Sequence, residues 1–523
     1  MKKTVRRLSI LLISVVLTAL PGQAQEEKVL RLTLEDCIVR AMQNNLSVAI
    51  QELNPELAAA SLSKAKEKYY PTLSFNFNLR DNESGSYSWL ESEESIQTKY
   101  NSISGAISQS IPFGGSLTVS MDSYKNETTQ RFQTINPRYG STLRFEFTQP
   151  LLQNFGYNIS QREIIIARNN LAVSETQLEK TLHDVIYSTE QAYWNLVYAI
   201  EDLRVRQQSL KLAQELLEKN KRSVEIGALA PIEVLSAQSE VATREADIIQ
   251  AEVAVKNAED QLKILMNMAE EEENEYVAIM PVDSPKFEQK EISLEEALAI
   301  ALNNRPDLKG LKIELQNQQF NLSVTKNQLL PALNLNASYW SPGVSGDRII
   351  YDPENPFNPE PVETISGPRK DAIKDALNFK YQNWSVGLSL NIPLNNLLSR
   401  ASYAEARTRL DQTVLNLKQQ EQQVMLEIKN ALRATEANQK RVQAYRVARE
   451  LQEQKLTAEE EKLKVGQSTN YTVLMYQRDL ANARSTELKA IIDYNVSLAN
   501  LDRVLGLSLK NKNMKLVEFL STK

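Results

Sequence analysis

The chain has 523 residues, of which 42% are hydrophobic and 24% charged, and its net charge of -6 is the wrong sign for a nucleic-acid partner. A single histidine (His183) and a single cysteine (Cys37) leave no material for His- or Cys-rich metal sites, an internal disulfide framework or most histidine-based catalysis. No GxxxxGK[ST], GxGxxG or HExxH motif is present, so the sequence points to no enzyme, no cofactor and no metal.

Residues 1–24 read as a signal peptide. Lys2, Lys3, Arg6 and Arg7 precede an apolar stretch from Leu8 to Leu20, and Gly22-Gln23-Ala24 supplies a small-x-small cleavage site. Beyond Gln25 no apolar run reaches the eighteen or so residues a membrane-spanning helix needs.

The exported chain reads as a tandem duplication, 25–290 and 291–523. Leu32-Thr33-Leu34-Glu35-Asp36 returns as Ile292-Ser293-Leu294-Glu295-Glu296, and the same shift aligns Ala41 with Ala301, Asn44 with Asn304 and Pro71 with Pro331. A second block aligns Ala167-Arg168 with Ala406-Arg407, Gly227 with Gly466 and Val234-Leu235 with Val473-Leu474. Each copy opens on a capping box, Thr33-x-x-Asp36 or Ser293-x-x-Glu296, that should start a short helix. Asn44 and Asn304 are expected to end it, because asparagine tolerates the left-handed conformation. Cys37 on that helix reads as a small buried apolar residue.

A medium helix comes next in each copy, over Leu46–Tyr70 and Leu308–Leu330. Alternating segments succeed it, at about 72–150 and 332–393. Leu73, Phe75, Phe77 and Leu79 alternate with polar residues, as do Leu143, Phe145 and Phe147, then Leu333, Leu335, Ala337 and Tyr339, then Trp384, Val386, Leu388, Leu390 and Ile392. Segments of this length with one apolar row and flanking aromatics are the pattern of outer-membrane β-strands. A weaker pair, Ile103 to Ile111 and Leu117 to Met121, is hinged at Pro112-Phe113-Gly114-Gly115. Four strands per chain would give a twelve-stranded trimer; including the weaker hairpin gives six and eighteen. Asp81–Lys99 and the proline-rich Ser341–Lys370 read as loops beyond the strand ends.

A very long helix then spans 161–226 in copy one, with Leu178, Val185, Ala192 and Ala199 seven apart and Leu182, Thr189, Leu196, Leu203, Leu210, Leu217 and Val224 offset by four. That is a coiled-coil seam. A tight turn leads into 231–268. Copy two repeats this as 397–464 and 470–505. The medium helix and the returning helix together match the long one in length, which suggests one continuous and one broken column in a helical barrel.

This order resembles the TolC-like outer-membrane efflux family. The carrying residues are Leu34-Glu35-Asp36 with Ala41 and Asn44, Leu294-Glu295-Glu296 with Ala301 and Asn304, and the strand entries Pro71 and Pro331. Gln149-Pro150-Leu151 against Ile392-Pro393-Leu394 and the turns Ile226-Gly227 and Val465-Gly466 complete the set. The resemblance implies a mostly α fold with a membrane β-barrel segment: a trimeric barrel, a long α-helical coiled-coil tunnel and an equatorial belt. It further implies a homotrimer in outer-membrane lipid that docks a periplasmic adaptor and an inner-membrane pump of the RND, ABC or MFS type. It would serve as a passive conduit for efflux or type I secretion. A periplasmic coiled-coil adaptor without a membrane barrel is the alternative; it would leave the amphipathic strands without a role.

The resemblance places the periplasmic tip and adaptor contact at Gly227, Ala228 and Pro231 and at Gly466, Ser468 and Thr469. Candidate constriction residues are Glu233 and Thr472, since the family carries acidic residues shortly after the turn and copy two has Thr472 and Met475 there. Glu233 equally suits a helix N-terminus, where a negative charge is favourable. The acidic run Glu270–Glu275 reads as solvated surface, and His183 as a packed or tunnel-facing polar group.

Overall fold

A computed structural model describes residues 28–88, 91–92, 94–227, 229–268, 277–352, 354 and 360–514. The expected signal peptide, Ala228 and the Glu270–Glu275 run lie outside the described residues.

Copy one runs β1 (Lys28–Leu32), α1 (Leu34–Asn44), α2 (Leu46–Glu67), β2 (Thr72–Gly85), β3 (Ser95–Ser110), β4 (Ser116–Thr128) and β5 (Ile135–Pro150). It continues with α3 (Tyr157–Ser160), α4 (Arg162–Glu225), α5 (Pro231–Leu265) and β6 (Val277–Pro281). Copy two runs α6 (Leu294–Asn304), α7 (Pro306–Asn327), β7 (Ala332–Tyr351), β8 (Pro361–Ile365), α8 (Arg369–Leu377), β9 (Asn383–Asn391), α9 (Leu397–Lys464), α10 (Asn470–Leu505) and α11 (Ser508–Asn511).

The helices pack as the length arithmetic requires. Helices α2 (22 residues) and α5 (35 residues) both lie against α4 (64 residues), and α7 and α10 both lie against α9 (68 residues). Helix α4 also contacts α7 and α10, which joins the two copies side by side. The seam is the reason. Leu178, Leu182, Val185, Thr189, Ala192, Leu196 and Ala199 are all buried, and small residues at three of these positions let neighbours approach from more than one side.

Both capping residues start their helices, Thr33 accepting from the Asp36 amide and Ser293 from the Glu296 amide. The helix ends correct one expectation. Neither Asn44 nor Asn304 is left-handed; the chain turns out through extended Asn45 and Arg305. Asn45 is needed extended because its side chain caps α2 at the Ser47 amide, and Arg305 because it precedes Pro306, whose ring disfavours the helical region for the residue before it.

The belt forms where the copies meet. Strand β1 pairs in parallel with β6, and the Asp283 carboxylate just after β6 accepts from the Leu34 amide and the Tyr193 hydroxyl. Cys37, Ile38 and Met42 of α1 bury against Leu182, Ile186, Tyr193 and Trp194 of α4. Burial pushes the Cys37 thiol up to about 12. In the folded protein maleimide should therefore label under about one chain in ten, against complete labelling after unfolding, as counted by intact mass. Fast labelling of the native protein would contradict this packing.

The sheet has the order β2-β3-β4-β5-β7, with β9 and β8 both pairing with the far side of β7. The hairpin Ser95–Thr128 lies fully within the ladder, β3 pairing with β2 and with β4 across the Pro112–Gly115 turn. Of the two counts the sequence left open, four and six, the described residues form six long strands. Two expected loops are also corrected. Asp81–Gly85 pairs with Ser95–Lys99, and Ser341–Tyr351 continues β7, while β8 and α8 take up most of residues 361–377. The backbone ladder continues past the point where the side chains stop alternating, because only the lipid-covered stretch needs an apolar row.

Candidate functional site

Three surfaces bear on function: a sheet with an apolar outside, two helical hairpins, and the turns at the hairpin ends.

The pairing register puts Leu73, Phe75, Phe77 and Leu79 of β2 on one face with Ile103 and Ile107, Val119 and Met121, Leu143 and Phe145, Leu335 and Tyr339, and Trp384 and Leu388. On β2 and β9 this row is more than half exposed throughout. The opposite face carries Ser74, Asn76, Asn78 and Arg80 on β2, and Arg144, Glu146 and Trp340, with the Arg144 guanidinium 5.3 Å from the Trp340 ring centre. An apolar outside and a polar inside fit a water-filled barrel in lipid. Strands β2 and β9 are open edges in one chain, and an unpaired edge in hydrocarbon costs several kcal/mol per orphaned polar group. Closure therefore requires further copies.

At the other end, α4–α5 and α9–α10 are hairpins closed by glycine turns. Gly227 (φ +75°) and Gly466 (φ +78°) are left-handed, and the Gly466 turn closes with Gly466 N donating to Leu463 O and Gln467 N to Lys462 O. Open space surrounds the position a Cβ would take at either glycine. Pro231 stands at the start of α5. Thr469 is the N-cap of α10, accepting from the Thr472 amide at 3.2 Å, and the Ser468 hydroxyl donates to Glu459 at 2.7 Å. The Thr472 hydroxyl is engaged by Thr469 at 2.9 Å. Glu233 is half-buried in the first turn of α5, the place a capping charge would take. Around the turns Ile226, Ile232, Leu235, Val465 and Tyr471 are each at least 60% exposed. Both tips thus present matching exposed apolar residues to their surroundings.

The tips are tied together. Leu474 of α10 is buried against Ala213 and Leu217 of α4 and Ala237 of α5. Just above them Arg244 of α5, 4% exposed, donates to Ser209 O at 2.6 Å on α4, to Leu474 O at 3.0 Å on α10, and to Glu240 at 3.2 Å. Burial pulls this guanidinium below its ordinary value, with Glu240 acting in the other direction. Next along the bundle, the Ser485 hydroxyl of α10 donates to Asp202 of α4, which also pairs with Arg206 at 2.7 Å. Sequence reasoning missed this joint. Its signal was Arg244 standing in the seven-residue row Ala237, Arg244, Ala251, where the two alanines are buried.

Comparison with known proteins agrees with this geometry. The family model described as "Outer membrane efflux protein" matches residues 116–268 and 297–507. The chain is 22% identical over 399 residues to Nodulation protein T of Rhizobium leguminosarum bv. trifolii, covering 76% of this chain and 77% of that one. It is 22% identical over 366 residues to Outer membrane protein TolC of Vibrio cholerae, covering 68% and 75%. Among solved structures, the Campylobacter jejuni CmeC outer membrane channel superposes with a TM-score of 0.63 at 16% identity, covering 94% of this chain and 89% of that one. The Vibrio cholerae VceC outer membrane protein superposes with a TM-score of 0.61 at 13% identity, covering 90% and 96%.

Proposed function

The chain belongs to the outer membrane efflux protein family, and from that premise we propose how its parts divide the work of export. The protein is an outer-membrane channel of a tripartite efflux system, built as a barrel in the membrane and a helical tunnel in the periplasm. Three copies close the sheet, β2 of one chain pairing with β9 of the next. With six long strands each, the barrel has eighteen. The observation that carries this reading is the seven-stranded sheet, six of its strands long, with an apolar outside and open edges, fused to two helical hairpins. Residues 25–290 and 291–523 act as two repeats, so that three chains give a pseudo-sixfold tunnel. Transport through it is passive: energy enters at an inner-membrane pump, joined through a periplasmic adaptor.

The glycine turns are the docking ends. Gly227→Val and Gly466→Val should each strain a left-handed backbone by about 1–2 kcal/mol at a solvent-facing turn, without touching the packed tunnel. Export should fall while trimer abundance in the outer membrane stays level. Export that survives both replacements would remove the turns from the docking role. Glu233 adds three carboxylates to the mouth of the trimer, and Glu233→Ala should weaken cation preference in planar-bilayer recordings.

The assembly itself is tested by mass in mild detergent and by bilayer conductance. Three chains and a stable open-pore current are expected; a monomer, or no current, would defeat the reading.

A further inference from the structure

Helix α8 has no role in closing the barrel, yet it is built into it. The chain leaves β8, crosses the sheet as α8 and returns as β9. It crosses on the apolar outside. Phe379 stacks on Phe145 and packs tilted against Tyr339, with ring centres 6.4 Å and 5.9 Å apart, and both partners belong to the outward row. Arg369 donates to the Ser123 hydroxyl and carbonyl at 2.9 Å and 2.7 Å. Ser123, Ser141, Ser341 and Gly343 lie on the same outward face, a patch of small residues that lets the helix sit down on the strands. A Cβ at Gly343 would overlap the Ala372 carbonyl, and Ala372 and Ala376 are fully buried beneath the helix.

Its height in the membrane is set by β7, which starts at Ala332 directly above the helical tunnel. A tilted strand crosses the hydrocarbon in about 9–11 residues. Gly343 stands at the end of that span, so α8 lies along the far rim of the apolar band, at the outer leaflet's headgroups. Residues 369–380 carry four basic side chains against two acidic ones, a net charge of +2, with Asp375 paired to Lys380 and Asp371 exposed beside the lysines. Lys370 and Lys374 are exposed, four residues apart on one helix face, and neither has a carboxylate partner among the described residues. Leu377 at the end of the helix and Tyr381 just past it, with the Lys380 ammonium 5.4 Å from its ring centre, are each about half exposed.

We propose that α8 is an outer-leaflet anchor in which Lys370 and Lys374 bind the phosphate of an anionic glycolipid headgroup. Charge complementarity selects the headgroup, and continuity with the lipid-facing row places it. The proposal rests on the barrel reading above.

The test uses the full trimer in phosphatidylcholine nanodiscs, titrated with bisphosphorylated lipid A or its dephosphorylated form. Wild type should prefer the bisphosphorylated form by about thirtyfold, in line with two juxtamembrane lysines. Lys370→Gln with Lys374→Gln should abolish the preference, and the Lys→Arg pair should keep it, with bilayer conductance unchanged in both. Gly343→Val, which lifts the helix without removing a charge, should also reduce it. A conducting wild-type trimer that does not discriminate, or a Gln pair that still does, overturns the anchor alone. A wild type that does not conduct overturns the barrel reading instead.

Discussion

Arg244→Ala is expected to be the most damaging single substitution in the helical tunnel. The guanidinium is nearly fully buried and holds three helices at once, through Ser209 O of α4, Leu474 O of α10 and Glu240 of its own helix. Removing it breaks the 3.2 Å pair with Glu240, which keeps Arg478 at 3.9 Å and is partly exposed, together with two buried charge-assisted bonds, for an expected loss of about 1.5–3 kcal/mol. The two carbonyls are less exposed to loss, since each still accepts within its helix. The effect is also positional. Leu474 seals the tips against Ala213, Leu217 and Ala237 one step below, so release of α10 from α4 and α5 should let the tunnel end spread. Two measurements read this out: a lower unfolding midpoint of the trimer and a raised resting conductance. Arg244→Lys keeps the charge but cannot reach both carbonyls in a planar fork, so it should recover stability more than closure. Unchanged conductance in the Ala variant would mean the joint stabilises the bundle without restraining its end.

An element is legible in the sequence where its environment constrains its side chains. Leu73 to Leu79 and Trp384 to Ile392 announced themselves because lipid demands an uninterrupted apolar row. The inner hairpin was fainter because Gly105 interrupts its row, and the structure shows why: a Cβ there would lie 3.2 Å from the Phe75 ring on the neighbouring strand. Above the lipid both strand faces meet water, alternation ceases, and β7 beyond Ser341 looks like a loop although its backbone is fully paired. Helix α8 was invisible for a related reason, being short and embedded in a proline-rich stretch. The long helices were legible almost to the residue, α9 and α10 at both ends. The joint at Arg244 was not, because a charge in a small-residue row gains meaning only when its acceptors on two other helices are known.

His183 supplies the second large effect, and its sign depends on pH. The ring is 2% exposed on α4, and neither nitrogen has a hydrogen-bond partner among the described residues. Burial depresses its pKa to about 4, Asp184 opposes that shift, and Lys309 of α7, Arg305 just before that helix and Arg503 of α10 reinforce it. The folded chain therefore holds this histidine neutral, whereas the unfolded chain protonates it near pH 6.5. Between those values the unfolded state binds the extra proton, so stability falls as pH falls. The contribution is complete above about pH 6.5, is reduced by about 2 kcal/mol per chain at pH 5, and levels off below about pH 4. His183→Leu removes the titration and two unsatisfied buried nitrogens while keeping most of the packed volume. Denaturant unfolding of wild type and variant at pH 7.5 and pH 5 should show the wild type losing about 2 kcal/mol per chain relative to the variant. Parallel curves at the two pH values would show instead that His183 is reached by water or by a partner chain in the trimer.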